Sequence, residues 1–158
     1  MKLERYFSRF HLISALSCEP GIIYFPVANG QAIRLGHVVG FSAGYAQEIT
    51  SIQDAAIAGI AATANTAAEA SSAGAVSVGV IPIKQGHRFS VPVEANALVT
   101  QAAVGTLIDL QSANTVDISD TVTLGYGFRV EAIDVSSKAI AANAYGFVIG
   151  HFEYKAAS

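Results

Sequence analysis

Residues 75–83 read Ala-Val-Ser-Val-Gly-Val-Ile-Pro-Ile. Val76, Val78, Val80 and Pro82 share one parity, and Ser77, Gly79 and Ile81 take the other. A period of two with β-branched residues on one side marks a half-buried strand, because successive side chains point to opposite faces. Lys84-Gln85-Gly86-His87 reads as a turn, and beyond it Phe89, Val91 and Val93 alternate against Ser90 and Pro92. The spacing predicts a hairpin joining 76–83 to 88–93.

The same grammar runs outward in both directions. Toward the N-terminus, Ile22-Ile23-Tyr24-Phe25 is a short apolar run closed by Pro26. Asn29-Gly30 is a tight-turn signal, and Ser42-Ala43-Gly44 marks another. Pieces at 32–35, 37–41 and 45–50 lean to strand. Toward the C-terminus, strands are expected at 104–110 and 115–118. The runs 128–135 and 145–154 alternate and should form a terminal hairpin. Residues 54–75 are ambiguous. Alanine favours helix, and Thr66-Ala67-Ala68-Glu69 has the form of a capping box, yet Ile57, Gly59 and Ala61 alternate with Ile60. A strand at about 56–63 is expected, then a loop with at most one short helix near 66–72. The sum is an all-β chain, a compact barrel or sandwich of about eight to ten short strands.

Residues 1–20 differ from the rest. They carry Lys2, Arg5 and Arg9, three of the nine basic residues, together with Tyr6, Phe7 and Phe10, before Glu19-Pro20-Gly21 punctuates the chain. The expected division is an N-terminal arm over 1–20, with a helical turn or two between Glu4 and Leu16, and a single β domain over 21–158. Arginines and aromatics are the side chains that anchor protein interfaces, so Arg5, Tyr6, Phe7, Arg9 and Phe10 are the candidate partner-binding residues. An ordinary first strand or helix tucked onto the domain is the alternative. A weak internal match also appears. At an offset of 66, Pro26-Val27 meets Pro92-Val93, while Ala32/Leu98, Ile33/Val99, Val38/Val104 and Phe41/Leu107 are apolar pairs. Strand–turn–strand chemistry alone produces such matches often.

Composition narrows the function. The 158 residues include 28 Ala and 14 Gly, with only 13% charged residues and a net charge of −3. The chain is too apolar for a disordered tail and too acidic to wrap nucleic acid by bulk charge. A surface this poor in charge suits a chain largely covered by partner protein. A single Cys excludes an intramolecular disulfide framework, and the alanine-rich stretches at 55–68 and 70–83 lack the Leu, Ile and Phe density of a membrane span. Leu12–Leu16 is shorter than the apolar core of a signal peptide. His11, His37, His87 and His151 have no ligand spacing. Cys18 has no nucleophile-turn context. Asp109, Asp117 and Asp120 lack the density of a calcium loop, and Gly125-Tyr126-Gly127 precedes a strand, where a phosphate loop precedes a helix. No enzyme, cofactor or metal is expected.

Two stretches carry a family resemblance: 29–39, followed by Ile57-Ala58-Gly59-Ile60-Ala61, and 86–94, followed by 104–109 and 145–152. With their turn, apolar, Gly, Val-Val rhythm they resemble the small decoration (cement) proteins of tailed-phage heads, over roughly 27–152. The polar arm and the 66–72 insertion depart from the pattern. The resemblance implies a structural virion protein assembled in the host cytoplasm. It would sit on the outer capsid surface as a homotrimer and bridge neighbouring copies of the major capsid protein, with the arm making contacts. The alternative from another class is a module of a bacterial surface fibre or adhesin. A small-molecule-binding barrel or minor hydrolase would need paired catalytic groups, which the spacing does not offer.

Overall fold

The computed structural model describes residues 10–14, 21–52, 56–83, 87–94, 99–134, 139–141 and 144–157. The chain is all-β, as the alternation predicts. The strands are β1 (His11–Ser14), β2 (Ile23–Pro26), β3 (Val38–Ser42), β4 (Tyr45–Glu48), β5 (Ile57–Ala61), β6 (Ser77–Pro82) and β7 (Arg88–Pro92). They continue as β8 (Leu107–Ser112), β9 (Thr115–Thr121), β10 (Gly125–Ile133), β11 (Ala139–Ala141), β12 (Ala144–Tyr145) and β13 (Phe147–Lys155). One antiparallel sheet runs β2-β6-β5-β3-β4 and a second β1-β7-β13-β10-β8-β9; β11 and β12 form a small separate hairpin. Helix among the described residues amounts to one 3-10 turn, Gln101–Ala103.

The two sheets are the same structure built twice. Replacing β2, β3, β4, β5 and β6 by β7, β8, β9, β10 and β13 turns the first strand order into the second. The register repeats as well: Ser77, Val78, Gly79 and Val80 face Pro26, Phe25, Tyr24 and Ile23, and Phe147, Val148, Ile149 and Gly150 face Pro92, Val91, Ser90 and Phe89. Each sheet curls until its ends meet through one parallel bridge, Val27 to Ala46 and Val93 to Val116. The closing hydrogen bonds recur too. Val27 N donates to Val76 O and Ala28 N to Ala46 O; in the second unit Val93 N donates to Gly146 O and Glu94 N to Val116 O. Gly36 and Gly105, both at positive φ (76° and 89°), open equivalent turns and donate to Ala61 O and Val130 O.

These equivalences confirm the Pro26-Val27/Pro92-Val93 match and correct the rest of the 66-residue offset. Gly36 corresponds to Gly105 and Ser42-Ala43 to Ser112-Ala113, offsets of 69 and 70. Three extra residues between Val99 and Gly105, where the 3-10 turn lies, shift the frame. Val38 therefore answers to Leu107 rather than Val104.

Two cores follow from the duplication. Val27, Ile33, Val39, Ala46, Ala61, Ala70, Val78 and Val80 fill the first unit. The larger core holds Phe89, Val91, Ile108, Phe128, Val130 and Val148 of the second unit together with Val38, Ile49, Ile52 and Ile60 of the first. Neighbours in sequence thus serve different cores: Val38 and Ile60 face the second unit, Val39 and Ala61 the interior of their own.

The hairpin expected between 76–83 and 88–93 is not formed. β6 lies between β2 and β5, and β7 between β1 and β13, so this link is the passage from one unit to the other. The terminal hairpin does form: β10 pairs with β13 from Gly125↔Lys155 to Ile133↔Val148. Around 66–72 the capping box is present without a helix. Thr66 N donates to Glu69 Oε2 (2.7 Å) and Glu69 N to Thr66 Oγ1 (3.3 Å), closing a single turn.

Part of the expected arm belongs to the body. Where a helical turn was expected, His11–Ser14 is strand, antiparallel to β7. Phe10, just before it, is 3% exposed; its ring lies edge-on to Phe128 (centroids 6.0 Å apart) and stacks on Phe152 (5.7 Å). Truncation of a buried aromatic removes both transfer energy and packing. Phe10→Ala is expected to lower the unfolding free energy by about 3–4 kcal/mol in urea titrations, a loss that an external contact residue would not produce.

Candidate interaction surfaces

Asp109 forms the seam between the units. It is 4% exposed on β8 and accepts three hydrogen bonds: from Ser51 Oγ (2.6 Å), Ile52 N (2.7 Å) and Leu110 N (2.7 Å). Two of the donors belong to the first unit, so one carboxylate ties the 51–52 loop to the second sheet. Val38 N adds a bond to Ala113 O at 2.7 Å. Asp117, the neighbouring calcium candidate, accepts from Ser119 N and Oγ within β9, where the pairing with β8 is irregular. Among the described residues no group of three or more His, Cys, Asp or Glu is placed to hold a metal ion.

A row of ion pairs lies on the outer face of the second sheet. Arg88 Nε is 2.5 Å from Glu131 Oε2, and Glu131 Oε1 is 2.7 Å from His151 Nδ1. His151 Nε2 is 3.3 Å from Glu153 Oε2, and Arg129 grips Glu153 through Nε (3.1 Å) and a terminal nitrogen (2.6 Å) while donating to Gly105 O. The row crosses β7, β13 and β10. The Arg129 hydrogen bond is the main force holding the Glu153 carboxyl below its ordinary 4.5, against some burial. For Glu131, burial pushes upward, but Arg88 and His151 together outweigh it and the net is downward. On the first unit His37 Nδ1 is 3.0 Å from Glu48 Oε1. Burial raises the Glu48 carboxyl, and His37, the Arg34 amide and the Arg34 side chain bring it below the usual value.

The third surface is apolar. Ile22, Ile23 and Tyr24 are 48%, 46% and 63% exposed. Ile22, Tyr24 and Thr63 converge over Gly79, where a Cβ would lie 2.8 Å from Ile22 Cγ2 and 3.2 Å from Tyr24 Cε1. The absent side chain on β6 is what lets the two larger ones settle on the sheet. At the end of β10 and β13, exposed Tyr154 packs against half-buried Tyr126 (centroids 5.0 Å apart), and Leu124 nearby is exposed.

Of the five arm residues singled out from the sequence, Arg5, Tyr6, Phe7 and Arg9 lie outside the described residues. Phe10 is committed to the core. Cys18 also lies outside them. His87 Nδ1 is 3.2 Å from Pro82 O. The apolar run at 22–25 was legible as a strand but not as a surface. Its failure to alternate was the available signal, since an unbroken apolar strand needs cover on both faces.

Two measurements test these placements. Asp109→Ala leaves two amides and a hydroxyl without their acceptor and is expected to cost about 2–4 kcal/mol of unfolding free energy. Glu48, Glu131 and Glu153 all titrate lower in the folded chain than in the unfolded one, so their contribution is present above the ordinary value of 4.5 and is lost as pH falls through the folded values. Urea midpoints should be flat down to about pH 5 and fall below it. Glu153→Gln should lower the plateau and make the acid fall shallower.

No family model, curated protein or solved structure matches this chain, so its surfaces are read from their own chemistry.

Proposed function

We propose that the protein is a structural component of a phage particle: it decorates the outer capsid surface and stabilises it by bridging neighbouring copies of the major capsid protein. The observation that carries the reading is the duplication. Two equivalent five-stranded units are welded through Asp109 and the shared core. One such body holds two units of the same topology in a fixed relation, which suits bridging two neighbouring subunits of a repeating shell. Many weak, simultaneous contacts of this kind add up through multivalency. The small number of charges, four of which pair with one another on the second sheet, and the exposed apolar residues of β2 agree with a surface spent on other proteins. The family resemblance of 29–39, 57–61 and 86–94 points the same way. In this reading Arg5, Tyr6, Phe7 and Arg9 reach the capsid, with the arginines pairing with carboxylates there.

A fibre or adhesin module is the second reading, favoured by the edge of β2, which no strand among the described residues covers, since strand donation along such an edge builds fibres. The two are separated by particles from the genome that encodes this chain. Particles lacking the protein are expected to release their nucleic acid at a lower temperature, and added recombinant protein should bind in a saturable copy number and restore the higher value. Removal of residues 1–9 should abolish binding and leave the urea midpoint of the β body unchanged. Filaments of the purified protein, with no binding to any capsid form, would replace this reading with the second.

A further inference from the structure

Asn29-Gly30 carries a chemistry that its role as a turn does not use. Gln31 N donates to Ala28 O at 3.2 Å and closes the turn, Gly30 lies at φ 70°, and both Asn29 and Gly30 are exposed. An asparagine followed by glycine is the pair in which the side-chain amide is most open to attack by the next backbone nitrogen, because glycine has no Cβ to obstruct the approach. The space around Gly30 is open to solvent as well: a Cβ built there meets nothing within 4 Å. The other asparagines precede Thr66, Ala97, Thr115 and Ala144.

The folded chain keeps that nitrogen occupied. Gly30 N donates to Ala70 O at 2.7 Å, and Ala70 is fully buried. The 65–70 loop that carries Ala70 is tied again to the 28–33 segment. Asn65 Nδ2 donates to Gln31 O (2.7 Å), Asn65 N to Ile33 O (3.0 Å) and Ile33 N to Asn65 O (3.2 Å). The loop is closed from within by the Glu69 carboxylate, which accepts from Thr66 N (2.7 Å) and Thr66 Oγ1 (3.0 Å). Closure of a succinimide needs the Gly30 nitrogen to lose its proton and swing onto Asn29 Cγ, and an amide bonded to the carbonyl of a buried residue does neither. Opening of this one loop would free the nitrogen while the two sheets stay intact. The second unit lacks the pair: Ala28 answers to Glu94, so Ala95-Asn96 stands where Asn29-Gly30 does.

We infer that Asn29 is a deamidation site gated by the 65–70 loop. When the loop lifts, a hydroxide ion from solvent takes the Gly30 amide proton and the nitrogen attacks Asn29 Cγ. A C–N bond forms, and the side-chain nitrogen takes a proton from water and leaves as ammonia, which returns the hydroxide. Water then opens the succinimide at either carbonyl and leaves aspartate or isoaspartate. Both products add a negative charge, and isoaspartate lengthens the backbone of the turn, which carries Gly30 N off Ala70 O. A converted chain therefore does not reclose the loop. The inference goes beyond the capsid reading and stands without it.

Incubation of the full chain at mildly alkaline pH, followed by peptide mass mapping and an enzymatic isoaspartate assay, tests it. In urea Asn29 should convert before the other asparagines. The folded chain should convert at the same residue about tenfold or more slowly, since only its open fraction reacts. Glu69 is exposed, and Glu69→Ala should speed the folded chain severalfold toward the urea rate with little change in the urea midpoint. Should that variant misfold, hydrogen exchange in the unaltered protein decides: the Gly30 amide should be protected to the same extent as Asn29. Conversion of the folded chain at the urea rate, a folded rate indifferent to Glu69→Ala, a Gly30 amide that exchanges freely, or another asparagine converting first in urea would overturn the inference. So would a faster Glu69→Ala chain whose gain is matched by an equal loss of global stability.

Discussion

The structure depends on a sheet that is buried on both of its faces. β3 and β5 of the first unit carry Val39 and Ala61 into their own barrel and Val38 and Ile60 into the core of the second unit. An antiparallel sheet usually leaves one face to water and alternates accordingly. Here the second face is covered by a copy of the same fold, and the strands read as nearly unbroken apolar runs. Removing either unit would expose the outer face of the other, so the two halves stand or fall together. Asp109 sits on this seam. Its carboxylate supplies acceptors for groups of the 51–52 loop that burial would otherwise strand without water.

The duplication also explains the economy in charge. A body with two cores needs apolar residues at most strand positions, and its short turns are served by Gly, Ala, Asn and Ser. Four of the charges neutralise one another in the row from Arg88 to Arg129 across the outer face of the second sheet. Such exposed pairs contribute little individually. Their effect is to present a polar, self-satisfied face on one side of the molecule, while the first unit presents Ile22, Ile23 and Tyr24. Two units with one topology thus have different surfaces, and the difference begins with one strand. Among the described residues β1 lies on the edge of the second unit, and no strand lies on the equivalent edge of the first.

Much of this was written in local sequence. Alternation at 76–82, 88–92, 128–133 and 147–154 determined strands because a period of two has one structural meaning when the runs are short and bounded by turns. Asn29-Gly30 and Ser42-Ala43-Gly44 determined turns through the backbone angles that these residues tolerate. The capping box at Thr66 and Glu69 was correct as chemistry and wrong as a sign of helix, because the hydrogen bonds it offers close one turn as well as they start several. What local sequence could not supply was which strands pair. β6 and β7 are joined by a short link and both alternate, yet each finds two partners within its own unit, and pairing in a closed five-stranded ring outweighs proximity along the chain. The repeat was faintly visible at Pro26-Val27 and Pro92-Val93, then lost when three residues near Gln101 moved the frame. Phe10 could not be placed either: an aromatic in an arginine-bearing arm has the composition of an interface anchor, and only the gap between Phe128 and Phe152 decided that its ring completes the core. By itself the sequence determined strands, turns and poverty of charge, since these follow from neighbours in the chain; the tertiary structure decided the pairing, the doubly buried sheet and the place of Phe10 in the core, since each depends on residues that meet only after the chain has folded back on itself.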